Sequence, residues 1–273
     1  MGRLFAFGCS FTQYMWPTWA NIIAYDQKLE IKNFAVAGMG NVGIMQRVLE
    51  ADLKYKFTNE DQIMIMWTSW SRQDTVINTH YDGKGSIFNH AKSESWLKEN
   101  WSVENDIIKN ITAINFINKI YGKYITWQGH ASQPYTSEID EHQNAIVKDL
   151  AGRYLEDVKF LYKDALPTIE YRKLEQDKLA FNCFIDTHPD VLEHLDIVKN
   201  WIYPQIDKEI KHTTIEAFEE LQNHVYMMFT KKKIKTFEDA IPMVNGILMR
   251  NFPHIMEYMD IQQIFDNIPE TLG

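Results

Sequence analysis

The sequence predicts an α/β fold: a three-layer α/β/α sandwich around a mostly parallel five-stranded sheet, followed by a C-terminal helical extension. Three observations predict it. Short apolar runs alternate with segments of helical spacing through residues 1–213. The run Ile63-Met64-Ile65-Met66-Trp67 has no polar face, as a central parallel strand covered on both sides requires. Near Thr214 the strand-like runs stop and amphipathic helical patterns take over.

The first strand is read from Leu4-Phe5-Ala6-Phe7, within residues 3–7. Pro17 is placed to open a helix through Trp19, Ile22, Ile23 and Tyr25, because its fixed φ suits a first helical position. Ile31 to Val36 reads as the second strand; Gly38, Gly40 and Gly43 follow, then a helix through Ile44, Val48 and Leu49. Gln62 to Trp67 is the third strand. Residues 72–101 read as a long irregular stretch with Asp82-Gly83-Lys84-Gly85 as a turn. A connection of that length is usually functional or holds small elements of its own.

Val103 to Tyr121 has helical spacing in Ile107, Ile111, Ile114 and Ile117, and Lys123 to Trp127 reads as the fourth strand. Residues 141–163 read as helix, and 165–185 fit neither period. Pro189 is placed to start a helix carrying Val191, Leu195, Val198 and Trp201. The boundary is drawn after residue 213: a domain over 1–213 and an extension over 214–273. In the extension, Phe218, Leu221, Val225, Phe229, Leu248 and Phe252 form apolar faces that two helices cannot bury alone. They are expected to pack on the α/β domain and to support a homodimer or one wall of a pocket.

Composition narrows the function classes. With 273 residues, 45% apolar and 24% charged, the chain has the makings of a sizeable core. A net charge of -9 disfavours nucleic acid and anionic membrane as partners. No run approaches the roughly 20 apolar residues of a membrane span, and the apolar run after Met1-Gly2-Arg3 is too short for a signal-peptide core, so a cytoplasmic location is expected. The two cysteines, Cys9 and Cys183, form no metal motif, and the nine histidines lack His-Glu-x-x-His spacing, so no metal is expected.

The chemistry-bearing residues fall at three places. Ser10, in Gly8-Cys9-Ser10-Phe11-Thr12, follows the first strand directly, at the sheet edge where ligands bind in open α/β folds. Asp186-Thr187-His188-Pro189 lies far downstream and holds a base and a carboxylate to orient it. Gly38-Met39-Gly40-Asn41-Val42-Gly43 matches the dinucleotide pattern Gly-x-Gly-x-x-Gly. It sits on the second strand rather than the first, and the acidic residue that should close the next strand is replaced by Trp67-Thr68. No cofactor is expected there. A Gly-x-Ser-x-Gly elbow of the α/β-hydrolase kind is also excluded, since that elbow follows several strands and Ser10 follows one.

Taken in order, these blocks resemble the SGNH (GDSL-like) hydrolase superfamily over roughly residues 1–203. Gly8-Cys9-Ser10-Phe11-Thr12 is similar to the block that bears the nucleophile. Asn33-Phe34-Ala35-Val36-Ala37-Gly38 resembles the block whose glycine donates an N–H to the oxyanion, and Asp186-Thr187-His188-Pro189 the block of the catalytic histidine. The resemblance implies a flavodoxin-like sandwich and ester hydrolysis by Ser10, His188 and Asp186, with acyl transfer or a non-catalytic binding role as alternatives.

Two departures stand out. The third block normally supplies an oxyanion asparagine, and here it reads Trp67-Thr68-Ser69-Trp70-Ser71-Arg72. Ser69, Ser71 or Asn41 is the expected substitute donor, and Arg72 a candidate substrate contact. The last block is one residue shorter than usual, so Asp186 stands two before His188. Trp16 and Trp70 flank the site in sequence, and tryptophan suits stacking on a sugar. The expected substrate is therefore a small acyl ester, on a carbohydrate or another small molecule.

Overall fold

The computed structural model describes residues 2–68, 72–77, 80–86, 102–130, 159–160, 188–232, 234 and 236–259. Its strands are β1 (Arg3–Phe7), β2 (Glu30–Asn33), β3 (Gln62–Trp67), β4 (Arg72–Ile77), β5 (His80–Ser86), β6 (Ile125–His130) and β7 (Lys159–Phe160). Five of them form one sheet in the order β2-β1-β3-β6-β7, and β4 and β5 form a separate antiparallel pair. The main helices are α1 (Trp19–Gln27), α2 (Asn41–Tyr55), α3 (Val103–Tyr121), α4 (Val191–Ile197), α5 (His212–Lys232), α6 (Phe237–Asn251) and α7 (Pro253–Met256). This is the α/β class with a five-stranded sheet that the sequence predicts.

The pairs β1–β2, β3–β6 and β6–β7 are parallel. β3 and β6 run parallel from Ile63 opposite Ile125 to Trp67 opposite His130, with one slip after Ile63, and β6 and β7 run parallel through Gly129 and His130. Along β1 and β2 the bonds Glu30 N–H to Gly2 C=O, Phe34 N–H to Ala6 C=O and Val36 N–H to Gly8 C=O advance together, the signature of a parallel pair. The chain leaves β1 for a neighbour on one side, β2, and returns to a neighbour on the other, β3. That reversal makes the carboxyl end of β1 the topological switch point, where this class of sheet opens a ligand crevice.

Contacts divide the chain into two compact units. The second comprises Phe5–Thr12 and Phe34–Tyr162. Its core gathers Phe5, Phe7, Ile63, Ile65 and Trp67 from the strands with Ile44, Val48 and Ala51 of α2 and Ile111, Ile114 and Ile117 of α3. Each fully buried Phe, Ile or Val among them contributes about 1.5–3 kcal/mol relative to exposure. The alternate strand residues Ala6, Met64 and Met66 point to the other face and are equally buried, so the sheet is covered on both sides.

The first unit comprises Met1–Leu4, Gln13–Asn33 and Lys163–Gly273. Helix α1 is buried almost all round and packs against α4 and α5. Its Asp26 carboxylate accepts from the Tyr203 hydroxyl at 2.8 Å, the Thr214 hydroxyl at 2.7 Å and the Lys211 N–H at 3.0 Å. The Asn21 amide donates to the Tyr258 carbonyl at 2.7 Å. After α4 the helix widens into a π turn, Val198–Ile202, before Tyr203–Gln205 ends it.

Three expectations are corrected. Residues 72–86 hold the β4–β5 pair, and Asp82-Gly83-Lys84-Gly85 lies inside β5 rather than at a turn; the ladder sets Gly83 opposite Asp74. Lys159–Phe160, expected in a helix, forms β7, because two residues carry no period of their own and pair with Gly129 and His130 of β6. Neither Pro17 nor Pro189 is a first helical residue. Each stands just before a capping residue, Thr18 or Asp190, because capping needs an extended backbone followed by free N–H groups. The stretch 165–185 lies outside the described residues.

Candidate active site

At the end of β1 the backbone turns sharply: the Thr12 N–H donates to the Cys9 carbonyl at 2.8 Å, leaving Ser10 and Phe11 at the corner. Ser10 is 5% exposed. Gly8 is required for this turn. A Cβ there would meet Thr12 Oγ1 at 2.0 Å, Thr12 Cβ at 2.8 Å and the Met66 carbonyl oxygen at 3.1 Å. Cys9 is buried, and the Thr68 hydroxyl donates to its Sγ at 3.4 Å.

A second turn is held beside the first. The Val36 N–H donates to the Gly8 carbonyl at 3.3 Å, and the Met39 N–H closes a turn onto the Val36 carbonyl at 3.1 Å. Gly38 is the third residue of that turn and has φ 79°, the left-handed value that a type II turn reserves for glycine. The chain then enters α2, with Gly40 as the N-cap.

Asn41, on the first turn of α2, is buried and fully engaged. Its Oδ1 accepts the Thr68 N–H at 2.7 Å, and its Nδ2 donates to the Thr68 carbonyl at 2.9 Å and to Asn110 Oδ1 at 2.5 Å. Both amide hydrogens are thereby directed at protein acceptors rather than outward. Asn110 Nδ2 in turn donates to the Asp106 carbonyl at 2.5 Å. The result fixes Thr68, the first residue beyond β3. Ser69, Trp70 and Ser71, which follow it, lie outside the described residues.

Strand β4 reaches the same loop. The Asp74 carboxylate accepts the Gly40 N–H at 2.6 Å and the Gly43 N–H at 2.7 Å. Arg72 Nη1 donates to the Met39 carbonyl at 3.2 Å. The Gly-x-Gly-x-x-Gly stretch thus presents its helix N-terminus to the protein's own carboxylate, on the very N–H groups a phosphate would use.

In the first unit, His188 is half-buried and stacks on Tyr14, with ring centroids 4.3 Å apart. Tyr14 meets Trp16 edge-on at 4.8 Å, and the Trp16 indole N–H donates to the Pro189 carbonyl at 2.8 Å. Trp16 is therefore a buried tie on the residue after His188. The Asp190 carboxylate caps α4 through the Glu193 N–H at 2.8 Å, in a reciprocal capping box. Farther along α4, His194 is fully buried; desolvation, helped by the nearby His188, pushes its pKa down to about 3. Asp186 lies outside the described residues. Among the described residues no group of His, Cys, Asp and Glu is arranged to hold a metal ion.

The sequence reading did not single out Tyr14, Asp74 or Asn110. Asp74 carried a faint signal, an acidic residue shortly after an apolar strand. Tyr14 and Asn110 carried none, since their partners are remote in the chain.

No family model matches the chain, and no curated protein does. Among solved structures it is similar to a lipolytic protein of the G-D-S-L family from Veillonella parvula DSM 2008. That likeness has 11% identity and a TM-score of 0.40 over 76% of this chain and 98% of that one. A putative G-D-S-L lipolytic protein from Desulfitobacterium hafniense DCB-2 gives 13% identity and a TM-score of 0.36 over 62% and 82%. The psychrotrophic esterase EstA from Pseudoalteromonas sp., inhibited by monoethylphosphonate, gives 10% and 0.42 over 76% and 99%. Two of these three structures are described as G-D-S-L lipolytic proteins. The strand order and parallel pairing of the sheet define an α/β fold. Among the described residues, no helix is long and apolar enough to cross a membrane.

Proposed function

We propose that this chain is a serine hydrolase of small acyl esters. The observation that carries the reading is the bond from the Val36 N–H to the Gly8 carbonyl, which sets the Gly38 turn beside the Ser10 turn at the switch point of the sheet. A serine and a left-handed glycine so placed supply a nucleophile and a backbone donor for the charge that develops on a carbonyl oxygen.

In this proposal Ser10 Oγ attacks the acyl carbon as His188 takes its proton. The carbonyl oxygen, now an anion, is held by the Ser10 and Gly38 N–H groups. The ester C–O bond breaks, His188 returns the proton to the departing alcohol, and water, deprotonated by the same ring, releases the acid and restores Ser10. Asp186 orients the ring. A carbohydrate is proposed for the alcohol part, with Trp70 as the stacking surface, since Trp16 and Trp67 are buried.

An alkyl fluorophosphonate tests the nucleophile. Wild type should gain the mass of one phosphonyl group at Ser10, and Ser10→Ala should gain none while melting cooperatively. Equal labelling of both proteins would remove the claim.

A further inference from the structure

We infer that Arg72 and Asp74 are positioning residues: together they clamp the 38–43 loop from β4 and hold Gly38 where an oxyanion donor must stand. The inference rests on the esterase reading of the same site and adds two residues to it.

The geometry is specific. Arg72 and Asp74 stand two apart on β4, with a shift of the ladder register between them, and both side chains reach the same loop. One grips a carbonyl and the other two N–H groups: Arg72 takes Met39 C=O, and Asp74 takes Gly40 N–H and Gly43 N–H. With the Val36 and Met39 N–H groups already bonded to Gly8 and Val36, backbone groups on both sides of Gly38 are fixed. The fit is close, since a Cβ on Gly40 would stand 2.7 Å from Asp74 Oδ2. Charge agrees with position, because a carboxylate at a helix N-terminus meets the positive end of the helix dipole.

An oxyanion donor works only when it is already in place as charge develops, so looseness in this loop acts on the transition state rather than on substrate binding. Two readouts test the clamp. By amide hydrogen exchange, Asp74→Ala should speed exchange at Met39, Gly40 and Gly43 and leave α3 unchanged. On p-nitrophenyl acetate, kcat should fall by about 10- to 100-fold with KM within about twofold, the loss typical of a misplaced catalytic group. Asp74→Asn, which keeps one acceptor oxygen, should recover part of the loss. Arg72→Ala should give a smaller loss of the same kind and stands in if Asp74→Ala fails to fold.

Unchanged loop exchange, or a faster loop with wild-type kcat, overturns the inference while leaving the esterase reading intact. A wild type that neither labels at Ser10 nor hydrolyses esters sinks that reading, and the positioning role with it.

Discussion

Asn41 pairs with Thr68 much as one strand pairs with another: its amide accepts the Thr68 N–H and donates to the Thr68 carbonyl, at 2.7 and 2.9 Å. A side chain on the first turn of α2 therefore continues the hydrogen bonding of the sheet edge beyond β3. Truncation to alanine would leave the Thr68 backbone and Asn110 Oδ1 buried without this partner. Asn41→Ala should destabilise by about 2–3 kcal/mol, given roughly 1–3 kcal/mol for a buried group left unpaired. Asn41→Asp should cost at least as much, because a carboxylate would face two acceptors. Urea unfolding measures both, and a loss below about 1 kcal/mol for Asn41→Ala would contradict the pairing.

Gly8 is hemmed in by Thr12. Gly8→Ala should destabilise by about 1–3 kcal/mol, the usual range for overpacking. The contacts at 2.0 and 2.8 Å are both with the Thr12 side chain, so Gly8→Ala combined with Thr12→Gly should be less destabilised than the sum of the single variants. Strict additivity in thermal melts would place the strain elsewhere, at the Met66 carbonyl.

Tyr14 holds the His188 ring by stacking at 4.3 Å. If His188 is the base, Tyr14→Phe keeps the stack and should retain near wild-type kcat. Tyr14→Ala frees the ring and should lower kcat by about tenfold or more, since orientation of a catalytic group carries that order of effect. Equal activity of the two variants would show that the stack does not matter to the chemistry.

Two histidines buried among the described residues, His130 and His194, make stability fall in acid. Burial pushes the pKa of both His130 and His194 down to about 3, from an ordinary value of 6.5. The folded state refuses protons that the unfolded chain accepts, so their contribution is full above pH 6.5 and is lost as pH falls towards 3. Each histidine adds a slope of at most about 1.4 kcal/mol per pH unit in that window. His194→Leu should therefore gain on wild type steadily between pH 6.5 and 4 in urea midpoints. A constant gap across that range would mean that His194 accepts a proton without cost.

Much of this fold was legible because it is written in local apolar spacing. The limits of β3 and α3 coincide with the runs Gln62 to Trp67 and Val103 to Tyr121, where hydrophobic period and length agree. β7 was not legible, since two residues become a strand only through the edge that β6 offers them. The β4–β5 pair was hidden by Gly83 and Gly85, which read as a turn in isolation. At the candidate site, Ser10 stood out as a hydroxyl directly after an apolar strand, and Gly38 through the resemblance of Asn33-Phe34-Ala35-Val36-Ala37-Gly38 to a family block. What Asn41 does could not be read, because its partners Thr68 and Asn110 are 27 and 69 residues away. The pairing of Asp74 with Gly40, 34 residues apart, depends likewise on where β4 folds back.

The first unit draws its partners from opposite ends of the chain: Trp16 bonds Pro189, Asp26 bonds Thr214 and Asn21 bonds Tyr258 across 173, 188 and 237 residues. During synthesis, α1 leaves the ribosome long before α4 and α5 exist to cover it. At about 5–20 residues per second, this apolar helix waits on the order of ten to forty seconds for them. Through that interval Trp19, Ile22 and Ile23, all fully buried in the finished protein, have no native cover from α4 or α5. A premature stop before α5 would leave that wait without an end, making a nascent chain suited to chaperone capture.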